Sequence, residues 1–111
     1  MTLREVVEAL DLRVLVGRDL LGKTVAGGYA SDVLSDVLTH SGKGYVWVTV
    51  QIHPNVSAVA MAKDLAAIII TNGRSPEAET LRKAEQKKIP VLVSPWSTYK
   101  VAGKLYELGI E

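Results

Sequence analysis

The chain has no cysteine and no phenylalanine. Without thiols there is no disulfide framework, no thiol nucleophile and no thiolate metal site, and their absence is compatible with a reducing compartment. Two Trp and four Tyr are the only aromatic residues, so the core must be built from Val, Leu, Ile and Ala, which let helices pack closely on a sheet. An excess of one charge is also missing. Thirteen Lys plus Arg face twelve Asp plus Glu, which leaves no basic footprint for sequence-blind nucleic-acid binding. The longest uninterrupted apolar run, residues 65–70, is far short of the roughly 20 residues that span a bilayer, so no membrane partner is expected. The opening Met1-Thr2-Leu3-Arg4-Glu5 lacks the basic region, apolar stretch and cleavage site of a secretory signal, and the expected location is the cytoplasm.

What the chain does have is apolar content. Hydrophobic residues make up 48% of its 111 residues and the mean hydropathy is +0.17, which argues against disorder and for a single domain over residues 1–111. Thr2 and Glu5 have capping-box spacing, followed by Leu3, Val6, Val7 and Leu10 at helical intervals. Strands are expected at 13–16, 24–26, 45–52, 66–71 and 91–94. Helices are expected between them: one begun by Ser31 or Asp32, one capped by Asn55, one opened by Ser75-Pro76-Glu77 and one capped by Ser97 or Thr98, with Gly109 as its stop. The last three strand-helix units recur about every two dozen residues, the length of a short βα crossover, and their apolar strands suit a parallel sheet covered on both faces. The fold class read from this pattern is α/β: a three-layer α/β/α sandwich with a mostly parallel sheet of about five strands.

In such a fold, ligands bind outside the carboxyl ends of the strands. The loops expected there carry the candidate ligand-binding residues Gly27, Gly28, Ser31 and Asp32; His53 and Asn55; Thr71, Asn72, Gly73 and Arg74; and, after the last strand, Pro95-Trp96-Ser97-Thr98. Arg74 suits a phosphate or carboxylate partner. His53 suits an anionic partner, and Trp96 suits an interface. No loop places a nucleophile beside a base, so no catalytic residue, metal site or cofactor is expected. Gly17-Arg18-Asp19-Leu20-Leu21-Gly22-Lys23-Thr24 satisfies the phosphate-binding pattern G-x-x-x-x-G-K-[ST], which makes a P-loop nucleotide binder an alternative. That pattern must open a helix, whereas Val25-Ala26-Gly27-Gly28 follow it.

The stretches Ala67-Ile68-Ile69-Ile70-Thr71-Asn72-Gly73-Arg74-Ser75-Pro76-Glu77 and Lys88-Ile89-Pro90-Val91-Leu92-Val93-Ser94-Pro95-Trp96-Ser97-Thr98 resemble the DRTGG domain family, as do residues 26–32 and 46–55. Thr71 and Gly73 match the Thr-Gly-Gly group of the family's name, with Asn72 in place of its first Gly, while His53-Pro54 or neighbours stand where the Asp-Arg pair would be. The resemblance implies a fold like the N-terminal domain of bacterial HPr kinase/phosphorylase. It also implies an accessory or regulatory role, as in phosphotransacetylases and in pyrophosphatases that carry CBS modules. A stand-alone version looks like small proteins encoded among redox and hydrogenase genes, which suggests a redox-associated or hydrogenase-associated protein partner. The expected function is a non-catalytic regulatory or ligand-sensing module. It would act as a homodimer and hold a small anion or nucleotide on the backbone amides of the carboxyl edge. The alternative from another class is a protein-interaction domain without a ligand.

Overall fold

The computed structural model describes residues 1–111. Along the chain run α1 (Leu3–Leu10), β1 (Arg13–Val16), a 3-10 turn at Arg18–Leu20, β2 (Gly27–Ala30), α2 (Leu34–His40) and β3 (Tyr45–Thr49). Then come α3 (Asn55–Ala62), β4 (Ala67–Ile70), α4 (Ala78–Lys87), β5 (Val91–Val93) and α5 (Thr98–Glu107). The five strands form one sheet in the order β1-β5-β4-β3-β2. β2 to β5 are mutually parallel and β1 is antiparallel to β5 at the edge.

From β2 to β5 spatial order follows chain order, so right-handed crossovers must place α2, α3 and α4 on the same face. Their Val37, Val56, Val59, Ala60 and Ala84 pack there against Trp47, Ile68, Ile70 and Val91. The two remaining helices, α1 and α5, cover the other face, where Leu3, Val6, Val101 and Leu105 meet Val46, Val48, Ile69 and Leu92. The result is the three-layer α/β/α sandwich with a mostly parallel sheet. Strand alternation explains the split between cores: neighbouring residues of β3 and β4 enter opposite layers, so both faces are apolar. At β1 the register shifts between Val14 and Val16, which lets Val16 turn into the α4 layer although Val14 packs on the α1 side.

Local signals act as expected at both ends of the chain. The Thr2 hydroxyl accepts from the Glu5 amide while the Thr2 amide donates to the Glu5 carboxylate, and Ser97 accepts from the Lys100 amide to start α5. Other boundaries differ. Residues 24–26 do not enter the sheet, because the chain start competes for them: the Leu3 amide donates to the Lys23 carbonyl at 2.8 Å and the Val25 amide to the Met1 carbonyl at 2.9 Å. The second strand is instead Gly27–Ala30. α2 begins at Leu34 with Val33 at the cap position, after the Val33 amide is taken by the Ser31 hydroxyl. α4 begins at Ala78 rather than at Ser75-Pro76, because the Glu77 amide and the Thr80 hydroxyl both donate to the Ile52 carbonyl, at 3.2 and 2.6 Å. β3 stops at Thr49, since the next amides, Val50 and Gln51, go to the side chains of Asp32 and Thr49.

Candidate functional site

At the carboxyl edge, the loops after β2, β3, β4 and β5 are tied to one another by side chains. The Asp32 carboxylate accepts from the Thr49 hydroxyl at 2.8 Å and from the Val50 amide at 2.9 Å, and Gln51 donates back to the Asp32 carbonyl at 2.9 Å. Arg74, from the loop after β4, donates through Nη1 to the Val50 carbonyl at 2.7 Å. Thr71, fully buried, shares a 2.7 Å hydrogen bond with Thr98 at the start of α5. Ser31, Asp32, Thr71, Asn72, Gly73 and Arg74 therefore lie on one cross-linked rim, with His53 and Asn55 at the start of α3.

Gly27 and Gly28 lie elsewhere. They form the first half of β2, opposite Tyr45 and Val46 at the start of β3, and so face the amino edge of the sheet. Their smallness serves packing: a Cβ on Gly27 would come within 2.7 Å of the Tyr45 ring. Gly28 borders a small apolar depression with Val48, Leu105, Tyr106 and Ile110. Trp96 is half-buried against the α1 side of the core, with the Lys100 ammonium 4.3 Å from its ring centroid, rather than presented as a free interface residue. Asn55 does not cap α3 with its side chain but is the first residue of the helix, and its amide donates to the His53 ring at 3.1 Å.

Of the backbone amides expected to cradle an anion, those of Asn72, Gly73 and Arg74 already have partners within the protein. An open parallel sheet offers a crevice where neighbouring strands send their connections to opposite faces, and here that place is between β4, leading to α4, and β5, leading to α5. The loops close it. The Asn72 amide donates to the Trp96 carbonyl and the Gly73 amide to the Ser94 carbonyl, each at 2.8 Å, while the Arg74 amide turns back to Thr71 at 3.3 Å. Asn72 and Gly73 are both left-handed, with φ of 58° and 62°, and this turn aims consecutive amides at the neighbouring loop instead of at solvent. In this loop the charge on offer is therefore that of the Arg74 side chain.

One such side chain escaped the sequence reading. Because β1 runs antiparallel, its first residue pairs with the last of β5, Arg13 with Val93, so Arg13 stands at the carboxyl edge. It borders a depression of about 240 Å³ together with Gly73, Arg74, Ser75, Leu81 and Val93. A strand-initial arginine was visible in sequence, but the direction of its strand was not.

The P-loop alternative is also corrected. Arg18–Leu20 is an isolated 3-10 turn and Thr24 bridges to Thr2, so no helix follows the lysine. Lys23 lies at the amino edge beside Lys43, Asp64 and Leu65, and burial pulls its ammonium below the usual lysine range against the opposing pull of Asp64. Among the residues of this chain, no group of three or more His, Asp or Glu is placed to hold a metal ion. No helix is long and apolar enough to cross a membrane.

The model of the DRTGG domain family matches residues 5–108. Among solved structures, the chain is similar to the crystal structure of the CBS and DRTGG domains of the regulatory region of Clostridium perfringens pyrophosphatase, complexed with its activator diadenosine tetraphosphate. The TM-score is 0.71 at 14% identity, and the match covers 94% of this chain and 45% of that one. At that identity the likeness speaks to the fold. No curated protein sequence matches.

Proposed function

This chain belongs to the DRTGG domain family, and from that membership and the geometry of its rim we propose that it is a non-catalytic regulatory module that senses a small anion or nucleotide. The same fold occurs in a regulatory region that is complexed with a nucleotide activator, which supports the class of function while leaving this chain's ligand to be argued from its own residues.

The observation that carries the reading is the clamp on Val50. Asp32 takes its amide and Arg74 its carbonyl, so a ligand that engages the Arg74 guanidinium bears on the loops after β2, β3 and β4 together. Charge-assisted, planar recognition of phosphate or carboxylate is what an exposed arginine supplies best. A module of this kind acts through other proteins, and self-association as a homodimer would present two rims.

Thermal-shift screening of nucleotides and small acids tests this, because a ligand that binds only the folded state at a hundred times its Kd adds about 2.7 kcal/mol of stability. The expected result is a rise in Tm that Arg74→Ala removes, with a dimer in light scattering. If no ligand raises Tm while a dimer is present, sensing gives way to the second reading, an interaction domain. The exposed apolar residues Val33, Leu38 and Met61, at 58, 42 and 55% exposure around α2 and α3, favour that alternative.

A further inference from the structure

The depression between β1, the loop after β4 and α4 differs from every other on the molecule in having two arginines, Arg13 and Arg74, and no acidic residue among the residues that line it. Neither arginine is in an ion pair, so neither charge is already neutralised by a carboxylate. A depression bordered by two arginines and by no acidic residue has a positive potential that favours an anion. Leu15, Leu81 and Val93 form its apolar side, which lowers the local dielectric and strengthens such an interaction relative to open water.

We propose that Arg13 and Arg74 form a binding site for a phosphate or pyrophosphate group, either free or as the tail of a larger metabolite. The proposal rests on the sensing function above and fixes which part of the ligand is recognised. Arg74 is held by one hydrogen bond, from Nη1 to the Val50 carbonyl at 2.7 Å, and an anion in the depression would draw on its remaining donors. Arg13 arrives from the antiparallel edge strand, and Ser75 adds a hydroxyl.

Size and lining set the ligand class. At about 240 Å³ the depression is below the roughly 300–1,000 Å³ of sites that enclose a drug-sized molecule. No aromatic ring lines it, so a nucleobase has nothing to stack on, and the recognised part is the phosphoryl tail.

The test is isothermal titration of the full chain at low ionic strength with inorganic pyrophosphate, inorganic phosphate, ATP and adenosine. Wild type is compared with Arg13→Gln, Arg74→Gln and, as a control for loss of a surface charge, Arg18→Gln. Both site arginines are exposed, so the variants should fold, which far-UV circular dichroism verifies. Pyrophosphate should bind, and each site variant should weaken it by about tenfold or more, the loss expected for one charge-assisted hydrogen bond. Arg18→Gln should bind as wild type does.

ATP should compete with pyrophosphate and adenosine should not bind; phosphate binding as well as ATP would identify a free-anion site, and ATP binding better than both a tailed ligand. Adenosine binding as well as ATP would overturn the proposal, as would binding weakened equally by Arg18→Gln. Loss in Arg74→Gln but not in Arg13→Gln would overturn the two-arginine site and leave the sensing function standing. So would a Tm-raising ligand found while pyrophosphate fails to bind. If no ligand of any kind binds, both fall.

Discussion

Asp32 and Arg74 grip Val50 from opposite sides, the carboxylate on its amide at 2.9 Å and the guanidinium on its carbonyl at 2.7 Å, and through that one residue three strand-end loops become a single unit. Thr49, one residue earlier, is fully buried and donates its hydroxyl to the same carboxylate. Asp32→Ala therefore strips partners from a buried hydroxyl and a backbone amide at once. The expected cost is about 1–2 kcal/mol, reduced from the full penalty because water can reach the vacated edge. Asp32→Asn keeps an acceptor and should lose less than half as much. Urea denaturation of the three proteins checks this, and equal losses for Ala and Asn would show that charge rather than hydrogen bonding holds the rim.

Much of the framework could be read directly from residue patterns, and the parts that could not share a cause. The capping box at Thr2 and Glu5 and the Ser97 cap are local, with donor and acceptor within three residues, so spacing alone reveals them. β3 was legible from its alternating faces, and β4 from a continuous apolar run that burial on both faces produces. By contrast, the position of β2 was decided by the bonds from Leu3 to Lys23 and from Val25 to Met1, each joining residues far apart in the chain, and the start of α4 by Ile52. The site followed the same division. Ser31, Asp32, Thr71 and Arg74 could be placed at the carboxyl edge because they follow strands, whereas placing Arg13 there needed the direction of β1, which is a property of pairing and leaves no trace in periodicity.

Gly17 and Gly22 are the two glycines of the P-loop pattern, and the structure separates them sharply. Gly17 has φ of 95° and a Cβ there would meet the Pro90 Cα at 2.8 Å, while nothing lies within 4 Å of a Cβ on Gly22. Backbone strain of this kind costs on the order of 1–3 kcal/mol, and Pro90 sits just before β5 with little room to retreat. Gly17→Ala should thus lower stability by at least about that amount, and Gly22→Ala should change it by less than about 0.5 kcal/mol. A phosphate-cradling loop would give another result: Gly22→Ala would abolish Mg-ATP binding without touching stability. The expectation is that neither the wild type nor either variant responds to Mg-ATP through this loop.

The pH dependence of folding should report on the cluster at the outer edge of β2. The Asp36 carboxyl is held below its ordinary range by the Ser31 hydroxyl first and the Tyr29 hydroxyl next, with His40 adding to the effect through its Nδ1 at 2.9 Å. The Tyr29 phenol is raised, chiefly by its hydrogen bond to Asp36 and then by burial. For Asp36, a value lower in the folded than in the unfolded chain means its contribution is complete above the unfolded carboxyl value of about 4 and disappears as pH falls through the folded one. For Tyr29 the sign reverses: the contribution is complete below about 10 and disappears as pH rises through the folded value. Stability should therefore decline at both ends of the range. Tyr29→Phe removes the shared bond, and its alkaline decline should vanish while its acid decline becomes shallower. Asp36→Asn should flatten the acid arm more than Tyr29→Phe does. Urea midpoints measured across this range decide the matter. A Tyr29→Phe curve running parallel to the wild type at every pH would mean that the 2.9 Å contact between phenol and carboxylate does not couple to folding.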